Sequence, residues 1–265
     1  MIINLPELYN KNAVILAPLL NEIKKHVETG YTVLDLGSGT GVYIKALEKQ
    51  IGNNGRLICV DNNNDMILYC KRKFRSANLS FKKLKAEKLS SLGEKVDVIF
   101  ASLVLQFTKE KKVVSEIRKC LKRDGKLIFA IPLYRTGINI GLDGESKKFK
   151  IKFEKNLKEE LNKIGIKEKP KLNYTNFRDK FFMKLLQKNR FSISEWNILP
   201  LRKDNLVSLL EYYKIPWRSA KMLNKPFSIR YKILSNTLKK TFKGYPNFTV
   251  KRYYLIAVAK NMRDL

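Results

Sequence analysis

The chain has 265 residues and is 44% hydrophobic, which is enough to bury one good core, or one core with a cap. No run of 18 or more apolar residues occurs, so we expect no membrane-spanning helix. The formal net charge is +30, from 54 basic and 24 acidic residues. Such a field favours nucleic acid, an anionic membrane surface or an acidic carrier protein, unless the lysines only cover solvated faces.

The N-terminal residues and the cysteines indicate a cytoplasmic protein. The chain begins without a basic region, an apolar stretch and a small-residue cleavage site, so we expect no signal peptide. The three cysteines include no C-x-x-C pair and suit a reducing compartment. A helix predicted over residues 14–27 carries the only histidine, His26, and we therefore expect no metal site.

A glycine-rich segment follows the first predicted strand. Residues 32–36 are an apolar run with one embedded acid, and Gly37, Gly39 and Gly41 come next at alternate positions. Glycines let the backbone reverse within a few residues and let a ligand approach it without meeting a β-carbon. A helix predicted over residues 42–50 then directs its N-terminal N–H groups at whatever lies on the loop.

An acidic residue ends the second predicted strand. Asp61 lies twenty positions after Gly41, at the tip of the strand predicted over residues 56–60. An acid at that place meets the ribose hydroxyls of nucleotide-type ligands. A dinucleotide fingerprint would need glycine where Val42 stands, so the glycine spacing disfavours a dinucleotide.

Strands and helices alternate through the first half of the chain, which predicts an α/β fold with a Rossmann-like, doubly wound sheet. The sheet is expected to be mostly parallel, with an antiparallel last strand. The predicted strands are 32–36, 56–60, 80–84, 96–101, 126–132, 191–199 and 248–259. We expect one domain, 1–265, with a ligand-binding core (1–134), helical cap insertions (135–190 and 204–246) and segments holding the last two core strands (191–201 and 247–260).

Five segments of this core resemble, in order, the motifs of class I S-adenosylmethionine (SAM)-dependent methyltransferases. Asp35-x-Gly-x-Gly-x-Gly41 resembles the first motif, and Asp61 with Asn62 and Met66 is similar to the second, ribose-binding motif. The other three similar segments are 84–87, which corresponds to the adenine pocket, 96–102 on the fourth strand, and 121–129 at the turn before the fifth strand.

The resemblance implies SAM as cofactor, with S-adenosyl-L-homocysteine as product. The residues that it implies for cofactor binding are Asp35, Gly37, Ser38, Gly39, Thr40, Gly41, Asp61, Asn62, Met66, Ala86, Glu87, Ser102 and Leu103. A doubly wound domain with a different or inactive nucleotide site, and a protein that binds SAM without catalysis, are the alternatives. Methyl transfer needs alignment more than a dedicated acid or base, so we name no catalytic residue.

The acceptor is predicted from the segment after the fourth strand. Residues 101–107 are similar to the corresponding segment of small-molecule methyltransferases, especially malonyl-acyl-carrier-protein O-methyltransferases and ubiquinone/menaquinone C-methyltransferases. The resemblance implies a small-molecule or acyl-carrier-bound acceptor. The candidate substrate residues, each of which also suits ordinary packing, are Gln106, Tyr134, Arg135, Tyr213 and Trp217. Tyr9, nearer the N-terminus, is a candidate to close over the cofactor.

The charge distribution supports an alternative acceptor. Residues 135–265 hold 31 basic and 11 acidic residues, a net charge of +20. An RNA methyltransferase could use that half of the chain to bind phosphates. The motifs of exocyclic-amine and cytosine carbon-5 methylation are absent from the sequence, which leaves ring-nitrogen or ribose methylation open.

Overall fold

The computed structural model describes residues 5–12, 17–132, 144–167, 179–214 and 222–262. The chain divides into two compact units. Unit 1 takes its described residues from 1–132, 177–199 and 254–265, and unit 2 takes them from 133–176 and 200–253.

Strands and helices alternate through the first 132 residues, as the hydrophobic pattern predicts. In chain order these elements are α1 (Leu5–Asn12), α2 (Ala17–Lys24), β1 (Thr32–Leu36), α3 (Ile44–Ile51), β2 (Arg56–Asp61), α4 (Asn64–Lys73), β3 (Leu79–Lys83), a 3-10 segment (Ala86–Leu92), β4 (Val96–Ser102), a second 3-10 segment (Leu105–Phe107), α5 (Glu110–Cys120) and β5 (Leu121–Pro132).

The described residues after β5 are mainly helical and include two further strands. Their elements are α6 (Gly144–Asn162), α7 (Asp179–Lys188), β6 (Phe191–Asp204), α8 (Leu206–Tyr213), α9 (Phe227–Lys243) and β7 (Val250–Asn261). Helix α7 belongs to unit 1, whereas α6, α8 and α9 belong to unit 2. The predicted grouping of residues 135–190 and 204–246 as a cap stays a prediction.

The seven strands form one sheet in the order β3-β2-β1-β4-β5-β7-β6. The pairs among β1 to β5 are parallel. Strand β7 runs antiparallel to β5, with Lys260 opposite Lys126 and Tyr254 opposite Pro132. The predicted Rossmann-like sheet with an antiparallel last strand is therefore confirmed.

The core of unit 1 lies on both faces of the central strands. Residues 57–60 of β2 and 33–36 of β1 are buried throughout, as expected for parallel strands covered by helices on both sides. Helix α3 buries Ile44, Leu47 and Ile51, three residues spaced to lie on one face. The edge strand β3 is short and ends in two exposed lysines, which discourages further strand pairing.

The ends of β1, β2 and β4 define the place for a ligand. Strand β1 pairs with β2 on one side and with β4 on the other, so the order of strands reverses there. Leu36 lies opposite Val60, and Asp35 lies opposite Phe100. Loops that leave neighbouring strands in opposite directions open a crevice at their carboxyl ends.

Strand β5 begins earlier than predicted. Leu121 pairs with Val96 and Lys126 pairs with Val98, so the turn between them bulges out of an otherwise continuous pairing. Asp124 has a φ of +63° in that turn. The turn residues 122–125 are polar or glycine, and the sequence pattern therefore places the start of the strand after them.

Unit 2 has its own apolar core. Phe149 of α6 stacks on Phe248 with ring centroids 4.2 Å apart and meets Phe242 of α9 edge-on at 5.0 Å. Beside these rings the buried Asn156 donates a hydrogen bond from Nδ2 to Thr241 Oγ1 over 2.9 Å. Across both units, none of the helices that the structure describes is long and apolar enough to cross a bilayer.

Candidate functional site

The glycine-rich loop between β1 and α3 is in close contact on two sides. Gly37 and Gly39 have φ values of +76° and +53°, a region that L-residues with side chains rarely adopt. A β-carbon on Gly37 would lie 2.7 Å from Cγ2 of Val104, which follows β4. One on Gly39 would lie 3.2 Å from Cε1 of Tyr9 in α1. A side chain at either glycine would therefore displace the loop or its neighbours.

Hydrogen bonds attach this loop to the end of β2. The N–H groups of Gly37 and Ser38 both donate to the carbonyl oxygen of Val60, over 2.7 and 3.0 Å. The N–H of Gly39 donates to Oδ2 of Asp61 over 2.9 Å, and Oδ1 of Asp61 accepts from the N–H of Asn63 over 2.8 Å. Asp61 thus shapes the loop, a role beyond the ribose contact that the sequence predicts. Each of its oxygens keeps a further lone pair for a ligand.

Burial governs the ionisation of Asp61. Desolvation raises the pKa of this carboxyl above its ordinary value, although the backbone N–H groups of Asn63, Gly39 and Asn62 favour the charged form. A second carboxyl lies close enough to interact, because the charge of Asp61 contributes to the raised pKa of Asp35. The crevice therefore holds two acids in a poorly solvated place.

Asp35 is the more deeply buried of these acids. It is 1% exposed, and its Oδ2 has no hydrogen-bond partner among the described residues. Burial first, and the charge of Asp61 second, raise the pKa of Asp35 to about 7. An unsatisfied buried carboxyl oxygen is costly unless a donor or a cation completes it.

Ser38, three residues after Asp35, presents a second unsatisfied atom. Its Oγ is buried and has no hydrogen-bond partner in the part of the chain that the structure describes. The neighbouring hydroxyl of Thr40 differs, because it donates to Oδ1 of Asn10 in α1 over 3.4 Å. Two unsatisfied polar atoms within four residues of the loop indicate a site for a polar ligand.

The end of β4 is connected to the start of α3. The hydroxyls of Ser102 and Tyr43 lie 3.1 Å apart in a buried hydrogen bond, and the ring of Tyr43 meets Phe100 edge-on at 5.0 Å. Burial raises the pKa of Tyr43 well above its ordinary value, so it stays protonated. Tyr43 is a residue that the sequence interpretation missed, since nothing local marks a contact across 59 positions.

The segment after β4 has strained backbone. Leu103 has a φ of +54°, although it is not glycine. Its N–H donates to the carbonyl of Ala130 over 2.9 Å, and its own carbonyl accepts from Nε2 of Gln106 over 2.7 Å. Oε1 of Gln106 is buried and has no partner among the described residues. Strain of this kind persists where surrounding contacts fix it, and it clusters at functional sites.

The residues predicted for the adenine pocket and the ribose have different surroundings. Ala86 and Met66 are buried, and Asn62 is exposed at the tip of β2. The carboxylate of Glu87 already has a partner within the protein. Its Oε1 accepts a hydrogen bond from the N–H of Lys109, at the start of α5, over 2.8 Å. A role of the Glu87 carboxylate toward a cofactor stays a prediction, in competition with this contact.

Comparison with known proteins agrees with this geometry. A model of the methyltransferase domain family matches residues 33–125, the segment from β1 through the turn in β5. The ubiquinone/menaquinone biosynthesis C-methyltransferase UbiE of Wigglesworthia glossinidia brevipalpis is 34% identical over 110 residues, which are 38% of this chain and 44% of that protein. Residues 33–125 are therefore similar in sequence to a methyltransferase domain.

Solved structures share the fold of this chain at low sequence identity. A geranyl diphosphate C-methyltransferase from Streptomyces coelicolor superposes with a TM-score of 0.52 and 14% identity, covering 93% of this chain and 79% of that one. The cyclase SpnF gives a TM-score of 0.57 and 15% identity, covering 93% and 82%. The chain spans 42–46% of the length of the first curated relatives that it matches.

The predicted substrate residues are distributed over both units, and some of them lie outside the described ranges. Gln106 lies after β4, next to the strained Leu103. Tyr213 is buried in the apolar core of unit 2. Tyr134, Arg135 and Trp217 lie outside the described residues, so their substrate role stays a prediction.

Proposed function

We propose that this protein is a SAM-dependent methyltransferase that methylates a small molecule. The observation that carries the proposal is the end of β1 with the loop after it, where buried Asp35 and Ser38 keep unsatisfied polar atoms beside Asp61. A cationic, polyhydroxylated ligand would supply the missing hydrogen-bond partners of these atoms. SAM has both an ammonium group and ribose hydroxyls. When bound, SAM supplies an activated methyl group, so the cofactor carries the difficult chemistry.

Each part of the site has a separate task toward this cofactor. Asp35 would hold the cationic end, and Asp61 would accept from ribose hydroxyls while it keeps the loop in shape. Ala86 would form part of the wall beside the adenine. Because Gly37 and Gly39 have no β-carbon, Val104 and Tyr9 pack directly against the loop and fix the backbone on which the ligand would lie.

The chain needs no acid or base of its own to accelerate the reaction. Alignment of two reactants at near-attack distance supplies about 7–11 kcal/mol of barrier reduction. Gln106 is the described residue best placed for an acceptor, because its amide nitrogen is held by Leu103 and its Oε1 is unsatisfied. We assign Gln106 the role of orienting the acceptor, and we assign none to a catalytic base.

The acceptor class is supported by the relatives. UbiE is a C-methyltransferase of ubiquinone/menaquinone biosynthesis, and the Streptomyces coelicolor enzyme is a geranyl diphosphate C-methyltransferase, so both methylate carbon atoms of small molecules. Residues 101–107 favour the same class. The cyclase SpnF has a similar fold, which means that fold alone does not determine the reaction.

Transfer of radiolabel from SAM tests the proposal. Purified protein is incubated with methyl-labelled SAM and, in parallel, a lipid-extractable metabolite fraction, acyl carrier protein and total RNA. We expect label in the metabolite fraction, and much less with Gly37→Val, whose side chain would meet Val104. Label confined to RNA or to the carrier protein would contradict a small-molecule acceptor, and no transfer to any fraction would contradict the methyltransferase activity.

A further inference from the structure

Helix α6 in unit 2 has one apolar face and one cationic face. Phe149, Phe153, Leu157 and Leu161 recur every four residues and are buried in the core of unit 2. The opposite face carries five exposed lysines, Lys147, Lys148, Lys152, Lys155 and Lys158. None of these five forms an ion pair within the part of the chain that the structure describes. Like charges three or four positions apart destabilise a helix, so this stripe of five lysines lowers the stability of α6 unless a partner neutralises it.

Helix α9 adds a second cationic face. Its 17 residues include no aspartate or glutamate. The face turned away from Ile233, Leu234 and Leu238 carries four exposed lysines: Lys232, Lys239, Lys240 and Lys243. We call these four lysines and the five of α6 the basic face.

The two lysine stripes of the basic face meet along the contact between the helices. Asn236 of α9 donates to Glu160 of α6, and Lys240 donates to Glu159. The hydrogen bond from Lys240 lowers the pKa of Glu159, and the charges of Lys155 and Lys152 add to that effect, so lysines of both helices surround one carboxylate. Together with the Asn156–Thr241 bond, these contacts show that the helices run antiparallel, side by side. Nineteen residues of α6 give a face about 28 Å long.

An exposed aliphatic side chain lies within the basic face. Ile151 is 61% exposed, and Lys147, Lys148 and Lys155 are its neighbours one turn before and after it. Single-stranded nucleic acid is held by aromatic or arginine side chains that stack on bases, and the lysine stripes contain neither. An aliphatic side chain among flexible lysines suits a lipid interface, where the chain enters the acyl boundary and the ammonium groups reach the headgroups.

We propose that the basic face of α6 and α9 docks unit 2 onto an anionic lipid surface. The recognised chemistry is a layer of phosphate or carboxylate headgroups, which nine lysines meet without specific hydrogen-bond geometry, with Ile151 entering between them. The interaction is peripheral and falls with salt, because the charges are exposed. It does not depend on the reaction that the other unit performs.

Binding to vesicles tests the docking surface. The full chain is sedimented with vesicles of phosphatidylcholine containing about 30% phosphatidylserine, at about 0.1 M salt, where the Debye length is about 10 Å. We expect binding to these vesicles and none to pure phosphatidylcholine. The variant K148Q/K152Q/K155Q/K158Q should bind at least about a hundredfold more weakly, since each lysine near the surface contributes about fivefold. Glutamine keeps the helix propensity of lysine, and circular dichroism checks the fold.

A charge-matched control separates the surface from net charge. K45Q/K49Q/K111Q/K112Q removes four exposed lysines from α3 and α5 in unit 1 and should change vesicle binding less than about threefold. Ile151→Ser should weaken vesicle binding and leave affinity for a single-stranded RNA oligonucleotide unchanged. The proposal is overturned if the wild-type chain does not bind anionic vesicles, or if both quadruple variants lose vesicle binding equally. It is also overturned if the RNA oligonucleotide is bound more tightly than the vesicles at equal phosphate concentration.

Discussion

Asp35 links the chemistry of the site to pH. Because its pKa rises from 3.8 to about 7 on burial, the folded protein favours the protonated form. The contribution of Asp35 to stability is complete below about pH 4 and is lost as pH rises through 7. A cationic ligand reverses this preference, since it favours the carboxylate.

We therefore predict that SAM binding releases protons near pH 6 and far fewer near pH 8. The measurement is calorimetric titration in buffers of different ionisation enthalpy. In Asp35→Asn the release should disappear, and affinity should fall about 10- to 100-fold, the effect of a hydrogen bond to a charged group worth about 1.5–3 kcal/mol. Equal proton release by the wild type and Asp35→Asn would show that another group titrates.

Gly39 tests whether the closeness of the loop to α1 matters. Gly39→Ala should weaken SAM binding, because its β-carbon would press on Tyr9. Gly93→Ala is a matched control: its φ is +72°, and its β-carbon would have nothing within 4 Å. Both changes cost about 1–2 kcal/mol of stability through backbone strain. Equal loss of SAM affinity in the two variants would mean that strain alone, and not the contact, is responsible.

Single residues could be predicted where the requirement is local. The loop glycines and Asp61 follow from the sequence, because a tight turn and an acid at a strand tip leave recognisable spacings. The hydrogen bond between Tyr43 and Ser102 and the one from the N–H of Lys109 to Glu87 join positions 59 and 22 apart, so no local spacing predicts them. The left-handed backbone of Leu103 could not be predicted either, because leucine is not a residue type that favours this conformation.

Between elements, Glu116 fastens α5 to the 3-10 segment Ala86–Leu92. Its Oε2 accepts from both the N–H and the hydroxyl of Ser90, over 2.9 and 2.6 Å, and Lys119 donates to Oε1. Burial opposes ionisation of Glu116, but these hydrogen bonds outweigh it and lower its pKa to about 2. The charged form therefore stabilises the fold above about pH 4.5, and that contribution is lost as pH falls toward 2.

Glu116→Gln should lower the free energy of unfolding at pH 7 by about 1.5–3 kcal/mol and flatten its fall between pH 4.5 and 2. Urea unfolding at several pH values measures both effects. Glu110→Gln, on the same helix, should cost less than about 1 kcal/mol, because it loses only an interaction with the helix dipole. A pH dependence that is unchanged in Glu116→Gln would contradict the assignment.

Element boundaries follow from the sequence where burial is continuous. Strands β1, β2 and β4 lie within one residue of their predicted ends, because both faces are apolar. Helix α3 starts at Ile44 and not at Val42, since the loop extends through Tyr43 without a side-chain cap. Strand β6 continues to Asp204, five residues beyond its predicted end.

At the scale of the whole molecule, the two units differ in their cores and in their charge. Unit 2 contains 24 basic and eight acidic residues over its two segments, a net charge of +16. The sequence shows where along the chain the excess of positive charge lies. Only the structure shows that the lysines of α6 and α9 lie on one side of this helix pair. The buried Asn156 was equally unpredictable, because its partner Thr241 is 85 positions away.

The separate cores predict separate responses to damage. Phe149→Ala should destabilise unit 2 by about 3–5 kcal/mol, since it empties a site between Phe242 and Phe248. SAM affinity should stay within about twofold, because the proposed site lies in unit 1. Hydrogen exchange gives the first quantity and calorimetry the second. Loss of SAM binding in a variant whose unit 1 amides remain protected would contradict a cofactor site contained in unit 1.

An equilibrium titration of the purified wild-type chain with SAM, compared with NAD and with the Gly37→Val variant, tests most directly whether the loop after β1 binds the cofactor. We expect one SAM site per chain, no comparable binding of NAD, and loss of SAM binding in the variant, whose side chain would occupy the space of Val104. If the wild type binds no SAM, or if Gly37→Val binds it as well as the wild type, the loop after β1 is not the cofactor site.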